Sequence, residues 1–235
     1  MKKKSFCLSI LFTAVLTANI FIPLSVSAED SELEYDQLNY EVADDGHIII
    51  TNCYQSATEC IIPEEIDDAP VTEIADDAFS ECYFLESLTV PDSVRIIGRQ
   101  AFSACSALKS VELPGEVDEM RAGAFDGCSA LENVTLPEGI KELPEAMFYE
   151  CTSLKNVILP DGLEEIGSES FYGCSSVSDI DLPSSIITIS DYAFQGCQSL
   201  KSINFPENVQ NLGGYIFQDC KSLTDITVAD ENAMF

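Results

Sequence analysis

The sequence predicts a leucine-rich solenoid: a parallel β-sheet with short helical turns, built from seven 23-residue repeats behind an N-terminal β-hairpin cap. Three observations carry this. Phe79, Phe102, Phe125, Phe148, Phe171, Phe194 and Phe217 recur every 23 residues, and so do Cys82, Cys105, Cys128, Cys151, Cys174, Cys197 and Cys220. An aliphatic column follows each cysteine by three, from Leu85 to Leu223, and prolines hold the same step from Pro91 to Pro206. A period of ~20–29 residues with Leu-x-x-Leu-x-Leu spacing marks one supersecondary unit per repeat, stacked on its neighbours because it cannot bury its apolar face alone. Ahead of the array, "LNYEV" and "HIIIT" flank "ADDG", two β-prone runs around an Asp-Gly turn.

The elements follow in chain order. Residues 1–28 combine the basic start Lys2–Lys4, a long apolar run and a small-residue end at Val26 and Ala28, which reads as a signal peptide. An uncleaved membrane anchor is the alternative, because the apolar part approaches ~20 residues. Residues 29–37 form a polar, acidic lead-in, and residues 38–62 form the cap, with "ECIIP" as its third strand-like run. The repeats occupy 63–235. In "LENVTLP", Leu131, Val134 and Leu136 point inward while Asn133 and Thr135 face out, and Pro137 ends the ladder. Ile140 and Leu143 return to the core on the opposite wall, and a helical turn then buries Phe148 and Cys151. Each circuit is a full crossover, so successive strands lie parallel, ~4.8 Å apart. The final "ITVADENAMF" has no polar capping repeat, leaving two expectations open: a short secreted form, or a piece of a longer protein.

The repeat A-F-x-x-C-x-x-L-x-x-[VI]-x-[LV]-P-x-x-[VIL]-x-x-[IL], read over about residues 60–228, resembles the BspA-type leucine-rich repeat of bacterial surface and secreted proteins. The segment "IIPEEIDDAPVTEIADDAF" is similar to that family's usual first repeat, with five extra residues between proline and phenylalanine. The resemblance implies extracellular binding or adhesion and transfers no ligand, cofactor or catalytic residue.

Charge narrows the partners. The chain carries 41 acidic and 11 basic residues, a formal net charge of −30. Without residues 1–28, which hold three of the basic residues and none of the acids, 8 basic residues face 41 acids, a charge of −33. Nucleic acid is excluded as a partner, since neutralising phosphate needs a basic surface. Membrane insertion after signal cleavage is not expected. No calcium loop of the D-x-D-x-D-G type appears among the acids. Enzyme chemistry is not expected either: the single histidine, His47, lies in the cap, and no Ser-His-Asp set, Cys-His set or phosphate loop is present. No cofactor is implied.

The cysteine column invites four readings. Zinc needs converging ligands, and thiols one per rung do not converge. Disulfides between rungs need a dihedral near ±90°, whereas equivalent stacked side chains point the same way. Catalytic thiolates need a neighbour that lowers the pKa. Packing remains, with cysteine as a small buried hydrophobe and the repeat thiols reduced and protected. Cys53 and Cys60 stand outside the register, flanking "YQSATE"; they read either as a disulfide closing that loop or as two buried thiols.

The exposed strand positions are the candidate ligand-binding face: Asn133, Thr135, Asn156, Ile158, Asp179 and Asp181. Their chemistry varies while the core columns stay fixed. The expected partner is a protein or glycan on a host or bacterial surface, and the alternative is a spacer or display segment. Beside this face, Glu86, Lys109, Glu132, Lys155, Ser178 and Lys201 alternate in charge and read as an electrostatic ladder along the stack.

Overall fold

The computed structural model describes residues 38–229. The signal-peptide and lead-in readings, residues 1–37, lie outside the described residues, as does 230–235.

The chain winds as a parallel β-solenoid of about 8 turns of ~23 residues, with three walls around one core. The cap supplies β1 (Leu38–Val42), β2 (Ile48–Cys53), β3 (Glu59–Ile61), β4 (Glu65–Ile66) and β5 (Ala69–Ile74). The expected hairpin forms: β1 and β2 pair antiparallel, and Ala43 and His47 close the turn at 2.9 Å with Gly46 at φ 96°. β4 folds back on β5 through Asp67 and Asp68, both at positive φ.

Each repeat then contributes a strand to one or both of two walls. The first wall runs through β3, β6 (Ser87–Thr89), β8 (Ser110–Glu112), β10 (Asn133–Thr135) and β12 (Asn156–Ile158), all parallel. The second wall holds β2, β5, β7 (Ile96–Ile97) and β9 (Glu119–Met120), then β11 (Glu142–Leu143), β13 (Glu165–Ile166), β14 (Thr188–Ile189) and β16 (Asn211–Leu212). Further along the first wall, β15 (Ser202–Phe205) and β17 (Asp225–Val228) pair as a separate two-stranded sheet.

Both walls are interrupted once. On the second wall, Gly98 donates to Ile74, Arg121 to Ile97 and Gly167 to Leu143, one bond per rung. The residue at that place between Arg121 and Gly167 is Pro144, which has no N–H, and the sheet parts between β9 and β11. On the first wall, residues 179–181 are not in a strand, so the ladder stops at β12 and resumes at β15. Aspartate is depleted in strands, and here Asp179 and Asp181 occupy both outward positions.

The third wall corrects one expectation. Among the described residues it contains no helix; each rung makes two tight turns instead. Backbone signs explain this. Positive φ occurs at Asp77 and Glu81, Gln100 and Ala104, Gly123 and Gly127, Ala146 and Glu150, and so on to Tyr215 and Asp219, always four residues apart. An L-residue helix cannot continue through such positions. The alternation turns N–H and C=O groups sideways: Asp77, Phe79 and Glu81 donate to Arg99, Ala101 and Ser103 of the next rung at 2.7 to 2.9 Å. The turns therefore hydrogen-bond rung to rung as strands do.

The core follows the sequence columns. Phe79 to Phe194 are fully buried, with ring centroids 5.1 to 5.8 Å apart along the series to Phe217. Leu131, Val134, Leu136, Ile140 and Leu143 all point inward, as the alternation requires. Phe217, Cys220 and Leu223 differ: they pack against the core but are only half-buried. Theirs is the last described rung.

The repeat cysteines are packing residues with one further task. Cys105 Sγ donates to the Phe79 carbonyl at 3.1 Å, and Cys128, Cys151, Cys174, Cys197 and Cys220 repeat that bond to the phenylalanine of the rung before. This explains cysteine rather than alanine in so small a space: the thiol supplies a weak donor as well as volume. Burial pushes these thiols up from their ordinary 9.0, Cys105 to about 12 and Cys220, the least covered, to about 11. Cys128, Cys151 and Cys174 are raised well above it.

Two outcomes are expected. Phe148→Ala removes a ring stacked between Phe125 and Phe171 and should cost ~3–5 kcal/mol in urea unfolding. Gly98→Ala should cost more than Gly127→Ala. A Cβ at Gly98 would lie 2.4 Å from the Ala75–Asp76 backbone, whereas at Gly127 it meets Ala104 at an ordinary 3.5 Å and pays only for φ +71°, roughly 1–2 kcal/mol. Equal costs would contradict the close approach at Gly98.

The thiols set an alkaline limit. Their folded pKa values are raised, so the stability they contribute is complete below about pH 9, where the unfolded thiols begin to ionise. It is lost as pH rises towards 11 to 12. Melting curves should fall across that window, and native labelling at pH 8 should reach Cys220 before Cys105, Cys128, Cys151, Cys174 or Cys197.

Candidate functional site

The candidate face is built by two in-register pairs. β10 and β12 align Asn133 with Asn156, Val134 with Val157 and Thr135 with Ile158. The central pair turns inward because successive strand side chains alternate, leaving Asn133, Thr135, Asn156 and Ile158 outside. All four are exposed, and Ile158 is 60 % exposed on a polar surface. The two asparagines satisfy one another: Asn156 Nδ2 donates to Asn133 Oδ1 at 2.6 Å. A similar rung forms further along, where Thr227 donates to Asn204 at 2.9 Å.

Asp179 and Asp181 are exposed in the following rung. The missing ladder there means that backbone pairing does not tie them to Asn156 and Ile158, unlike the other four. The face thus has a regular part and an acidic, irregular continuation.

The charged column flanks it. Lys109 Nζ meets Glu86 at 2.6 Å and Lys155 Nζ meets Glu132 at 2.8 Å, each across one rung. The hydrogen-bonded Lys155 holds the Glu132 carboxyl below its ordinary value, with Lys109 adding to the effect. These lysines already face carboxylates, so the column pins the stack and leaves the recognition chemistry to its neighbours.

Three features were not singled out by the sequence reading. Arg121 gathers Glu119 at 2.7 Å, Asp76 at 3.4 Å and Glu73 at 3.6 Å on the second wall. On the turn wall, Gly173 and Gly196 lack side chains between Glu150 and Asp219, and a shallow open groove runs past Tyr172 and Gln195. In the first repeat, Tyr83 and Phe84 are exposed where later repeats carry Ser, Thr, Gln, Lys or Ala. The last was legible in the sequence as a departure from the repeat; the first two needed the fold.

Among the described residues, no group of three or more His, Cys, Asp or Glu side chains is arranged to hold a metal ion. No helix among them is long and apolar enough to cross a membrane. Cys53 and Cys60, read from the sequence as either a bridge or two buried thiols, are both buried and free, and Cys53 Sγ donates to the Tyr54 carbonyl at 3.7 Å.

Comparison with known proteins places this geometry. A family model described as a BspA type leucine rich repeat region matches in six copies, over residues 72–179 and 164–234. A leucine-rich repeat protein of T. pallidum is 31 % identical with a TM-score of 0.74, over 81 % of this chain and 89 % of that one. A leucine rich cell surface protein from Faecalibacterium prausnitzii is 26 % identical with a TM-score of 0.59, over 82 % of this chain and 53 % of that one. The present chain thus spans about half of that second structure. A leucine-rich repeat protein from Bacteroides ovatus, 22 % identical with a TM-score of 0.56 over 85 % and 77 % of the two chains, shares the fold. No curated protein matches the sequence. The chain belongs to the BspA-type leucine-rich repeat family.

Proposed function

We propose that this protein is a non-catalytic extracellular binding or adhesion module that recognises protein or glycan through its parallel-sheet face. The carrying observation is the surface of β10 and β12: four outward side chains held in register by a rigid ladder, with an isolated apolar Ile158 among amides and a hydroxyl. Such a surface offers a partner an apolar contact bordered by hydrogen-bonding groups. The family supports a binding or display role, and one similar solved structure is described as a cell surface protein.

The acidic balance selects the partner. Asp179 and Asp181 extend the face with carboxylates and the chain carries −30 overall, so a basic or neutral protein or glycan fits and an acidic one is repelled. Association should weaken as salt rises, because exposed charges more than ~8–10 Å apart are screened at physiological ionic strength.

The rival reading is a spacer that displays another segment at a distance, favoured by the self-paired Asn133–Asn156 rung. Replacing Asn133, Thr135, Asn156, Ile158, Asp179 and Asp181 with Ala should leave the melting transition near that of the parent, since all six are exposed. It should abolish capture of host-cell or bacterial surface ligands in a solid-phase screen. Equal binding by parent and substituted proteins, or no binding by the parent, supports the spacer instead.

A further inference from the structure

We propose that the groove on the turn wall between Glu150 and Asp219 is a ligand site distinct from the sheet face, and that it takes a neutral or amino-bearing oligosaccharide. Two glycines make the groove. Each turn has two residues at positive φ, and at the later of the two Glu81, Ala104, Glu150 and Asp219 all carry side chains, with φ between 54° and 62°. The backbone therefore does not demand glycine at this place. Gly173 and Gly196 nevertheless follow one another there in consecutive rungs. The loss of two neighbouring side chains opens a groove of about 390 Å³. That volume lies within the ~300–1,000 Å³ of small-molecule sites.

The lining joins one aromatic edge to uncommitted polar groups. The Glu150 carboxylate lies over Gly173, its oxygens 2.9 and 3.1 Å from where a Cβ would stand. The floor left open is Gly196, where a Cβ would meet only the Gly173 backbone at 3.4 Å. Tyr172 borders this floor, stacked on Tyr149 with centroids 4.7 Å apart and planes at 6°. The stack stops there, because the next rung carries Gln195 in that column, so one face of the Tyr172 ring has no ring against it. The side chains of Glu150, Gln195, Gln198 and Lys221 make no hydrogen bond or ion pair with another described residue. Lys109 and Lys155 of the strand column, by contrast, are committed to carboxylates one rung away.

These groups set the ligand. An amide donates and accepts, a carboxylate accepts and an ammonium donates. A sugar hydroxyl does both, so a row of hydroxyls satisfies such a mixture. The C–H face of a pyranose ring is apolar and packs on an aromatic side chain that keeps its polar tip in water. Glu150 and Asp219 stand three rungs apart in one column, ~14 Å at the strand spacing, which suits a short oligosaccharide running along the stack. Charge narrows the class further. A chain of −30 repels acidic glycans, whereas an amino group meets the carboxylates of Glu150 and Asp219.

A peptide is the competitor, and the backbone argues against it. Strand addition needs unpaired N–H and C=O groups. Here the Gly173 N–H already donates to the Gln195 carbonyl at 2.7 Å, and the Gly196 N–H to the Gln218 carbonyl at 2.8 Å. Lys221, lining the same groove as Asp219, also opposes an incoming lysine or arginine side chain. The site does not depend on the sheet face: Asn133, Thr135, Asn156 and Ile158 belong to β10 and β12, on another wall of the solenoid.

The test is an array of neutral, amino-bearing and sialylated oligosaccharides, with lysine-rich and arginine-rich peptides beside them, probed with the intact protein. Binding to neutral or amino-bearing saccharides is expected, and none to the sialylated ones. Tyr172→Ala and Glu150→Gln should each weaken that binding by roughly tenfold or more. Gln198→Ala, an exposed change, should weaken it too and decides the matter if Tyr172→Ala fails to fold. Replacing Asn133, Thr135, Asn156 and Ile158 with Ala should leave the saccharide signal unchanged, which separates this groove from the sheet face. No saccharide bound by the parent, capture of the peptides or sialylated glycans instead, equal binding by the turn-wall variants, or loss of the signal with the sheet-face substitutions would each overturn the proposal.

Discussion

The constraint on which this structure depends is that each turn must offer its backbone N–H and C=O groups to the turns above and below. Two walls meet it with short β-strands. The third meets it by alternating left- and right-handed residues, so that Asp77, Phe79 and Glu81 reach Arg99, Ala101 and Ser103. A helix would consume those groups within its own turn and leave nothing to bind the rungs together there. Placing non-glycine residues such as Gln100, Ala104 and Tyr192 at positive φ has a local cost. That cost is offset because an unpaired, buried backbone group is more expensive still. The same geometry aims the phenylalanine carbonyl at the next cysteine, which ties the column of thiols to the backbone of the turns.

With shape fixed by three hydrogen-bonded walls and the filled phenylalanine column, outward strand positions are released from any role in folding. Asn133, Thr135 and Ile158 can differ in chemistry because none of them supports the core. The neighbouring charged column is only partly free: Lys109 and Lys155 are committed to carboxylates one rung away. Such a division suits a binding surface. A rigid support holds side chains at fixed spacing, so a partner meets a preorganised array and little ordering is left to oppose association.

The phenylalanine, cysteine and aliphatic columns were legible in the sequence because burial allows only one type of residue at each, repeated without insertion. The turn wall was not legible. Left-handed positions usually announce themselves through glycine, yet glycine stands at only Gly123, Gly127, Gly173 and Gly196 of that series, among Asp, Glu, Gln, Ala and Tyr. Compact turns and a helical turn therefore looked alike. The breaks in the two sheets were half legible. Pro144 is visible as a missing donor, but which ladder it interrupts depends on knowing where the second wall lies. The candidate face could be drawn as columns from spacing alone, but not the failure of residues 179–181 to join β12.

In a stacked array each rung is held by its neighbours, so the weakest junction governs how much of the chain opens together. Mid-array rungs share a ring on both sides and a thiol bond to the rung before, though each strand wall is interrupted once among them. The junction between cap and first repeat is different. Phe79 has Phe102 on one side and Cys53, not a ring, on the other. The register there also changes, β3 pairing Cys60 with Leu88 across 28 residues where later strands pair across 23. Less apolar area stacks at this junction, and β2 and β5 pair through an irregular register.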